Sequence, residues 1–208
     1  IKSSAASDVY KRQDWDCLFR RNSLKTNIYM AKKNIPLQPE NFELETNTVW
    51  AFPDRGKWAT HDAKYRGNWS PYIPRNVILR YSKENDTVLD QFVGGGTTAV
   101  EAKLTNRNFI GVDINPNALE ITKSKLNFEC EFNPTIEIMQ GDARNLSSIA
   151  DNSIDLVCTH PPYANIIHYS LDIDGDMSLM PMKDFLFEIG KVAEECYRVL
   201  KLSLIHIS

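Results

Sequence analysis

An α/β fold, a mainly parallel sheet covered by helices on both faces, is what the sequence predicts from residue 84 onward. Three observations carry it. Short apolar strand patterns alternate with helical ones, and a glycine-rich turn directly follows the first strand. The distinctive polar residues all fall just past strand ends, where sheets of this kind bind their ligands.

The elements follow in order. Pro74 suits the start of a helix, and RNVILRYS (75–82) continues it. TVLD (87–90) reads as a strand, TTAVEAKLTN (97–106) as a helix, FIGVD (109–113) as a strand and NALEITKSKLNFE (117–129) as a helix. IEIM (136–139) and IDLVC (154–158) are the third and fourth strands, and the apolar spacing of residues 182–200 predicts a long amphipathic helix. Ahead of this core the pattern is weaker: a helix near 16–32, a proline-containing linker at 34–41, and the aromatic stretch WAFPDRGKWATHDAKYRGNWSPY at 50–72. In that stretch Arg55, Lys57, Lys64 and Arg66 interleave with the rings, a mixture that either stacks bases and holds phosphates or simply packs a core.

With 208 residues, 42% hydrophobic and 25% charged, the chain has the composition of one ordinary globular domain. It contains no apolar run of membrane-spanning length and no apolar signal core at its N-terminus, so a cytoplasmic location without membrane partners is expected. Cys17, Cys130, Cys158 and Cys196 are widely spaced and form no C-x-x-C pair, which argues against a disulfide framework or a zinc site. Charge is uneven: residues 1–83 carry 15 Lys/Arg against 8 Asp/Glu, residues 84–208 carry 9 against 19. A basic half is one footprint of nucleic-acid binding, and solvated surface charge is the other explanation. SSAASDVYKRQ (3–13) and LSLIHIS (202–208) resemble translated sequencing-adapter read-through. The expected organisation is therefore a non-native tail at 1–13, a basic and aromatic segment at 14–83, an α/β core at 84–201 and a second tail at 202–208.

The first motif is DQFVGGGTT at 90–98. Its glycines let the backbone turn tightly against a ligand, and the helix that follows presents free N–H groups. By itself it fits two cofactors, because Gly94 to Ala99 also reads as the G-x-G-x-x-A turn of a nicotinamide site. Asp113 ends the second strand, where it would accept ribose hydroxyls in either case. Asp142 ends the third and suits either an adenine amino group or a surface turn. The second motif, His160-Pro161-Pro162-Tyr163, ends the fourth strand. Two prolines cannot continue a ladder; they hold their carbonyls in a rigid outward arrangement.

Together D-x-F-x-G-x-G-T-T and a Pro-Pro-Tyr turn at this spacing resemble the S-adenosylmethionine-dependent methyltransferases that act on exocyclic amino groups, particularly the DNA cytosine-N4 and adenine-N6 methylases. The resemblance covers about residues 50–201. It implies a Rossmann-like methyltransferase fold, truncated here after the fourth strand and its helix, and methylation of a DNA base in a restriction-modification setting. It implies that Asp90, Phe92, Gly94, Gly95, Gly96, Thr97 and Thr98 cradle the cofactor with Asp113 and Asp142, and that RGNWSPYIPRN (66–76), with Asn68 and Trp69, flanks it. His160 and the Pro161 carbonyl would accept hydrogen bonds from the target amino group, Pro162 would hold the turn, and Tyr163 would stack on the flipped base. The first position of this turn is ordinarily Asp, Asn or Ser; here it is His160, which accepts a hydrogen bond only when neutral. Thr159 ahead of it favours cytosine-N4. An RNA guanine-N2 methyltransferase, a nicotinamide dehydrogenase and a silent nucleic-acid-binding domain are the competing readings. His168 and Tyr169 are candidates for the target pocket. Asp172, Asp174 and Asp176 superficially match a calcium loop, which the lack of a downstream Glu at the required position argues against.

Overall fold

The computed structural model describes residues 35–164, 166–170 and 173–202. The helix expected near 16–32, residues 1–13 and residues 203–208 lie outside the described residues.

Four strands, β1 (Thr87–Asp90), β2 (Asn108–Asp113), β3 (Ile136–Gln140) and β4 (Leu156–Val157), form one sheet in the order β3-β2-β1-β4. Every pairing is parallel. Helices α1 (Tyr72–Tyr81), α2 (Thr97–Leu104), α3 (Pro116–Lys125) and α4 (Met182–Val199) complete the alternation read from the sequence, and the Rossmann-like α/β expectation holds. Side chains alternate strictly across the strands. Val88, Phe109, Ile136, Ile138 and Leu156 pack with Ile78, Ala99, Ala102 and Leu119 from α1, α2 and α3. Leu89, Ile110, Val112, Met139 and Val157 face the opposite side, toward Leu146, Ile154 and Val199. Both faces are therefore covered, and each buried Val, Leu, Ile or Phe contributes about 1.5–3 kcal/mol.

The differences from expectation lie at the ends of elements. Helix α1 begins at Tyr72, ahead of Pro74, which falls within the first turn where its missing N–H has no intrahelical partner to lose. Helix α2 stops at Leu104 because Asn106 takes a positive φ of 59°. Helix α3 stops at Lys125. The fourth strand keeps only Leu156 and Val157 in its ladder, while Ile154 bridges instead to Leu200 beyond α4.

The aromatic stretch divides in two. Trp58 is buried, its indole Nε1 donating to Glu101 Oε1 at 2.7 Å, and Tyr72 stacks on Phe52 with ring centres 5.1 Å apart. Glu101 is fully buried on α2; it also receives Arg75 Nη1 at 2.8 Å and lies 2.6 Å from His61 Nε2. One carboxylate thus pins residues 58–61 to α1 and α2. Tyr65 and Trp69 instead reach the ligand end of the sheet.

The chain runs outward from β1 through β2 to β3, then crosses back to place β4 on the other side of β1. That reversal opens a crevice past the carboxyl ends of β1 and β4, the position where parallel α/β sheets bind ligands.

Candidate functional site

The crevice holds an open-mouthed cleft walled by residues from both motifs. Asp90, Phe92, Gly94 and Gly95 enter it from the turn after β1, Asp113 from β2, Asp142 from β3, and His160 and Pro162 from the turn after β4. Asn68 and Trp69 close one side. Segments far apart in sequence converge because each follows the carboxyl end of a parallel strand or leads into the helix packed beside it. Gly96, Thr97, Thr98, Pro161 and Tyr163 do not line the cleft. Gly96 caps α2 in the left-handed region at φ 77°, Thr97 donates its hydroxyl to Asn68 Oδ1, and Thr98 is buried. A Cβ at Gly95 would sit 2.6 Å from Tyr65 Cβ, so only glycine lets Tyr65 cover the turn.

Electrostatics separate the two cofactors that the glycine turn left open. Four aspartates, Asp90, Asp113, Asp142 and Asp176, line the cleft. Burial pushes Asp90 up to about 6, opposed by bonds from the Thr159 hydroxyl at 2.7 Å and the Phe92 N–H at 3.1 Å. Burial likewise raises Asp113, whose carboxylate accepts the Gly94 and Asn115 N–H groups at 2.8 and 2.9 Å. Asp142 would also be raised by burial, but Arg144, bonded to both carboxylate oxygens, holds it below the usual range. A dinucleotide's pyrophosphate would face this carboxylate group and find the Gly94 N–H already taken. A sulfonium cofactor with an ammonium group meets the charge it needs, so the residues fit S-adenosylmethionine.

The turn after β4 is held as a unit. The His160 ring lies against Trp69, centres 5.1 Å apart and planes 5° apart, and its Nε2 is 2.8 Å from the Tyr163 hydroxyl. Burial lowers the imidazole below its ordinary 6.5, although a bond to the Gly67 backbone opposes the shift. In the neutral ring, Nε2 accepts the Tyr163 O–H in one tautomer and donates to the hydroxyl oxygen in the other.

Other expectations fare differently. The Asp142 carboxylate is engaged by Arg144, whose Nη1 also bonds Glu188 of α4 at 2.9 Å. Thr159 spends its hydroxyl on Asp90. Cys158 is buried and its thiol is pushed up by burial, as a packing residue would be. Tyr169 does line the cleft, stacked on Tyr65 with centres 6.5 Å apart, whereas His168 does not line it. Asp176 takes Ser170 and Ser178 N–H groups at 3.1 and 2.8 Å. Tyr65, Asp176 and Arg144 went unassigned from sequence. The only signals were an aromatic beside a G-N-W triplet and a basic residue two places after Asp142.

Comparison with known proteins places the chain in a family. The family described as DNA methylase, of the N6/N4 type, matches residues 3–124, and a general methyltransferase domain matches residues 88–172. The Type II methyltransferase M2.LlaDCHI of Lactococcus lactis subsp. cremoris is 46% identical over 112 residues, covering 52% of this chain and 39% of that protein. M2.DpnII of Streptococcus pneumoniae is 42% identical over 77 residues, covering 37% and 28%. A tRNA (guanine(10)-N2)-dimethyltransferase of Methanothermobacter thermautotrophicus is 32% identical over 124 residues, covering 59% and 34%. The chain spans well under half the length of each of these relatives. With the family match extending over more than half of its residues, the chain belongs to the DNA methylase family of amino-group methyltransferases.

Proposed function

We propose that the protein transfers a methyl group from S-adenosylmethionine to the exocyclic amino group of a base in DNA. The observation that carries this reading is the shared wall of the cleft: His160 and Pro162 of the Pro-Pro-Tyr turn line the same cavity as Asp90 and Gly94. Bound there, the cofactor supplies an electrophilic sulfonium methyl for in-line transfer. An amino group conjugated to a base is a weak nucleophile because its lone pair is delocalised. His160 and the Pro161 carbonyl accept its N–H bonds and favour a pyramidal nitrogen as charge develops. Tyr163, 43% exposed, offers a ring face to a base extruded from the duplex. Asp113 takes the ribose side of the cofactor, and the cleft wall around Trp69 holds the methyl donor against the turn, so proximity supplies much of the acceleration.

Adenine N6 and cytosine N4 are both targets of this chemistry. The sequence expectation of cytosine-N4 leaned on Thr159, and that hydroxyl donates to Asp90 at 2.7 Å. The Type II methyltransferase relatives support a site-specific modification role. The test has two stages. S-adenosylhomocysteine, and not NAD, raises the melting temperature of the chain; mass analysis of digested DNA after incubation with labelled cofactor then finds N6-methyladenine or N4-methylcytosine. A cooperative melt unmoved by S-adenosylhomocysteine overturns the reading. A second reading, guanine-N2 methylation of RNA, is favoured by the tRNA-modifying relative, and label in RNA with none in DNA selects it. DNA binding without transfer selects the silent domain.

A further inference from the structure

Residues 65–69 meet the β4 turn through Trp69, whose ring stacks on His160. A single guanidinium grips this segment from behind. Arg55 Nη2 donates to the Asn68 carbonyl at 2.7 Å and to the Trp69 carbonyl at 2.8 Å. The Ser70 hydroxyl donates back to the Arg55 carbonyl at 3.0 Å, closing a two-way clamp. Asn68 is tied separately, through its amide, to the Asp62 carbonyl at 3.2 Å and to Thr97. Among the described residues Arg55 pairs with no carboxylate. Its Nη2 is therefore committed to these two carbonyls.

We infer that Arg55 is a positioning residue: by gripping two successive carbonyls it holds the Trp69 indole flat against His160, and so fixes the acceptor turn for methyl transfer. The inference rests on the function proposed above for that turn. A planar guanidinium suits the task because its charge-assisted donors are preorganised, while a lysine ammonium on a flexible stem meets two carbonyls less rigidly. Release of the clamp leaves Asn68 anchored but frees Trp69 to turn away from the imidazole. Misplacing a reacting group by about 1 Å costs on the order of 100-fold in rate, so the effect on transfer exceeds the effect on folding.

The test uses the full chain and reads His160 directly. Stacking on an indole shifts imidazole ring-proton resonances upfield, and Trp69→Leu gives their unstacked position. Arg55→Gln is expected to move the His160 resonances most of the way to that position, and Arg55→Lys part of the way. In methyl transfer Arg55→Gln should lower kcat by about 10- to 100-fold with the KM for S-adenosylmethionine within about 2-fold, and Arg55→Lys should recover part of the loss. Wild-type His160 resonances in a cooperatively melting Arg55→Gln protein overturn the inference. If that variant does not fold, wild-type resonances in Arg55→Lys overturn it. Should the unaltered chain methylate no nucleic acid, the functional reading fails, while the His160 resonances still decide whether Arg55 sets the stack.

Discussion

The Nε2 atom of His160 lies 2.8 Å from the Tyr163 hydroxyl, so this ring nitrogen is already engaged in a hydrogen bond. A base can reach it only when the hydroxyl lets go. Tyr163→Phe removes the O–H and keeps the ring. Its kcat/KM on DNA is expected to equal or exceed that of the unaltered protein. Tyr163→Ala also removes the stacking surface, worth about 1–3 kcal/mol, and should lose about 5- to 150-fold. Equal losses in the two variants, measured side by side, would assign the effect to the hydroxyl and end the stacking argument.

Protonation of His160 abolishes its acceptor capacity, and burial holds its pKa below 6.5. Single-turnover transfer should therefore stay level as pH falls from 8 through the ordinary histidine range and decline only below it. Asp90, pushed up to about 6, titrates nearby, so a control is required. His160→Asn installs an ordinary residue of this turn and is expected to remain active with the histidine limb gone. An identical acid limb in that variant would remove His160 from the acceptor role.

Asp90 is a buried carboxyl raised by burial from 3.8 to about 6, and the sign of its contribution follows. Between those values the folded protein holds a proton that the unfolded chain has lost. Its stabilising share is complete below about 3.8 and disappears as pH rises through about 6. At neutral pH the ionised group costs about 3 kcal/mol. Asp90→Asn is expected to raise stability at pH 7 by up to that amount, to give little gain at pH 4, and to lose the melting shift produced by S-adenosylhomocysteine. Urea unfolding at both pH values checks it, and equal gains at the two would contradict the assignment.

Glu101 collects Trp58, His61 and Arg75 in a fully buried network. Glu101→Ala leaves the Arg75 guanidinium without its carboxylate and should cost about 3–5 kcal/mol. Loss of under 1 kcal/mol in urea unfolding would mean that water or rearrangement satisfies the network.

The sequence by itself determined the element types and their order, and it placed the candidate site residues at the strand ends. Strand and helix periodicities are written in neighbours two to four places apart, and alternating faces reappear in the sheet as Val88 against Leu89 and Phe109 against Ile110. Motifs confined to one turn, DQFVGGGTT and HPPY, were legible for the same reason. What only the tertiary structure decided are partnerships across long separations. Thr159 bonds Asp90 from 69 residues away, Trp58 reaches Glu101 across 43, and Arg55 clamps Trp69 across 14. No local pattern specifies which donor meets which acceptor. That choice follows from the strand order β3-β2-β1-β4, which sets the carboxyl ends of β1 and β4 side by side, and from the need to satisfy each polar group the packing buries.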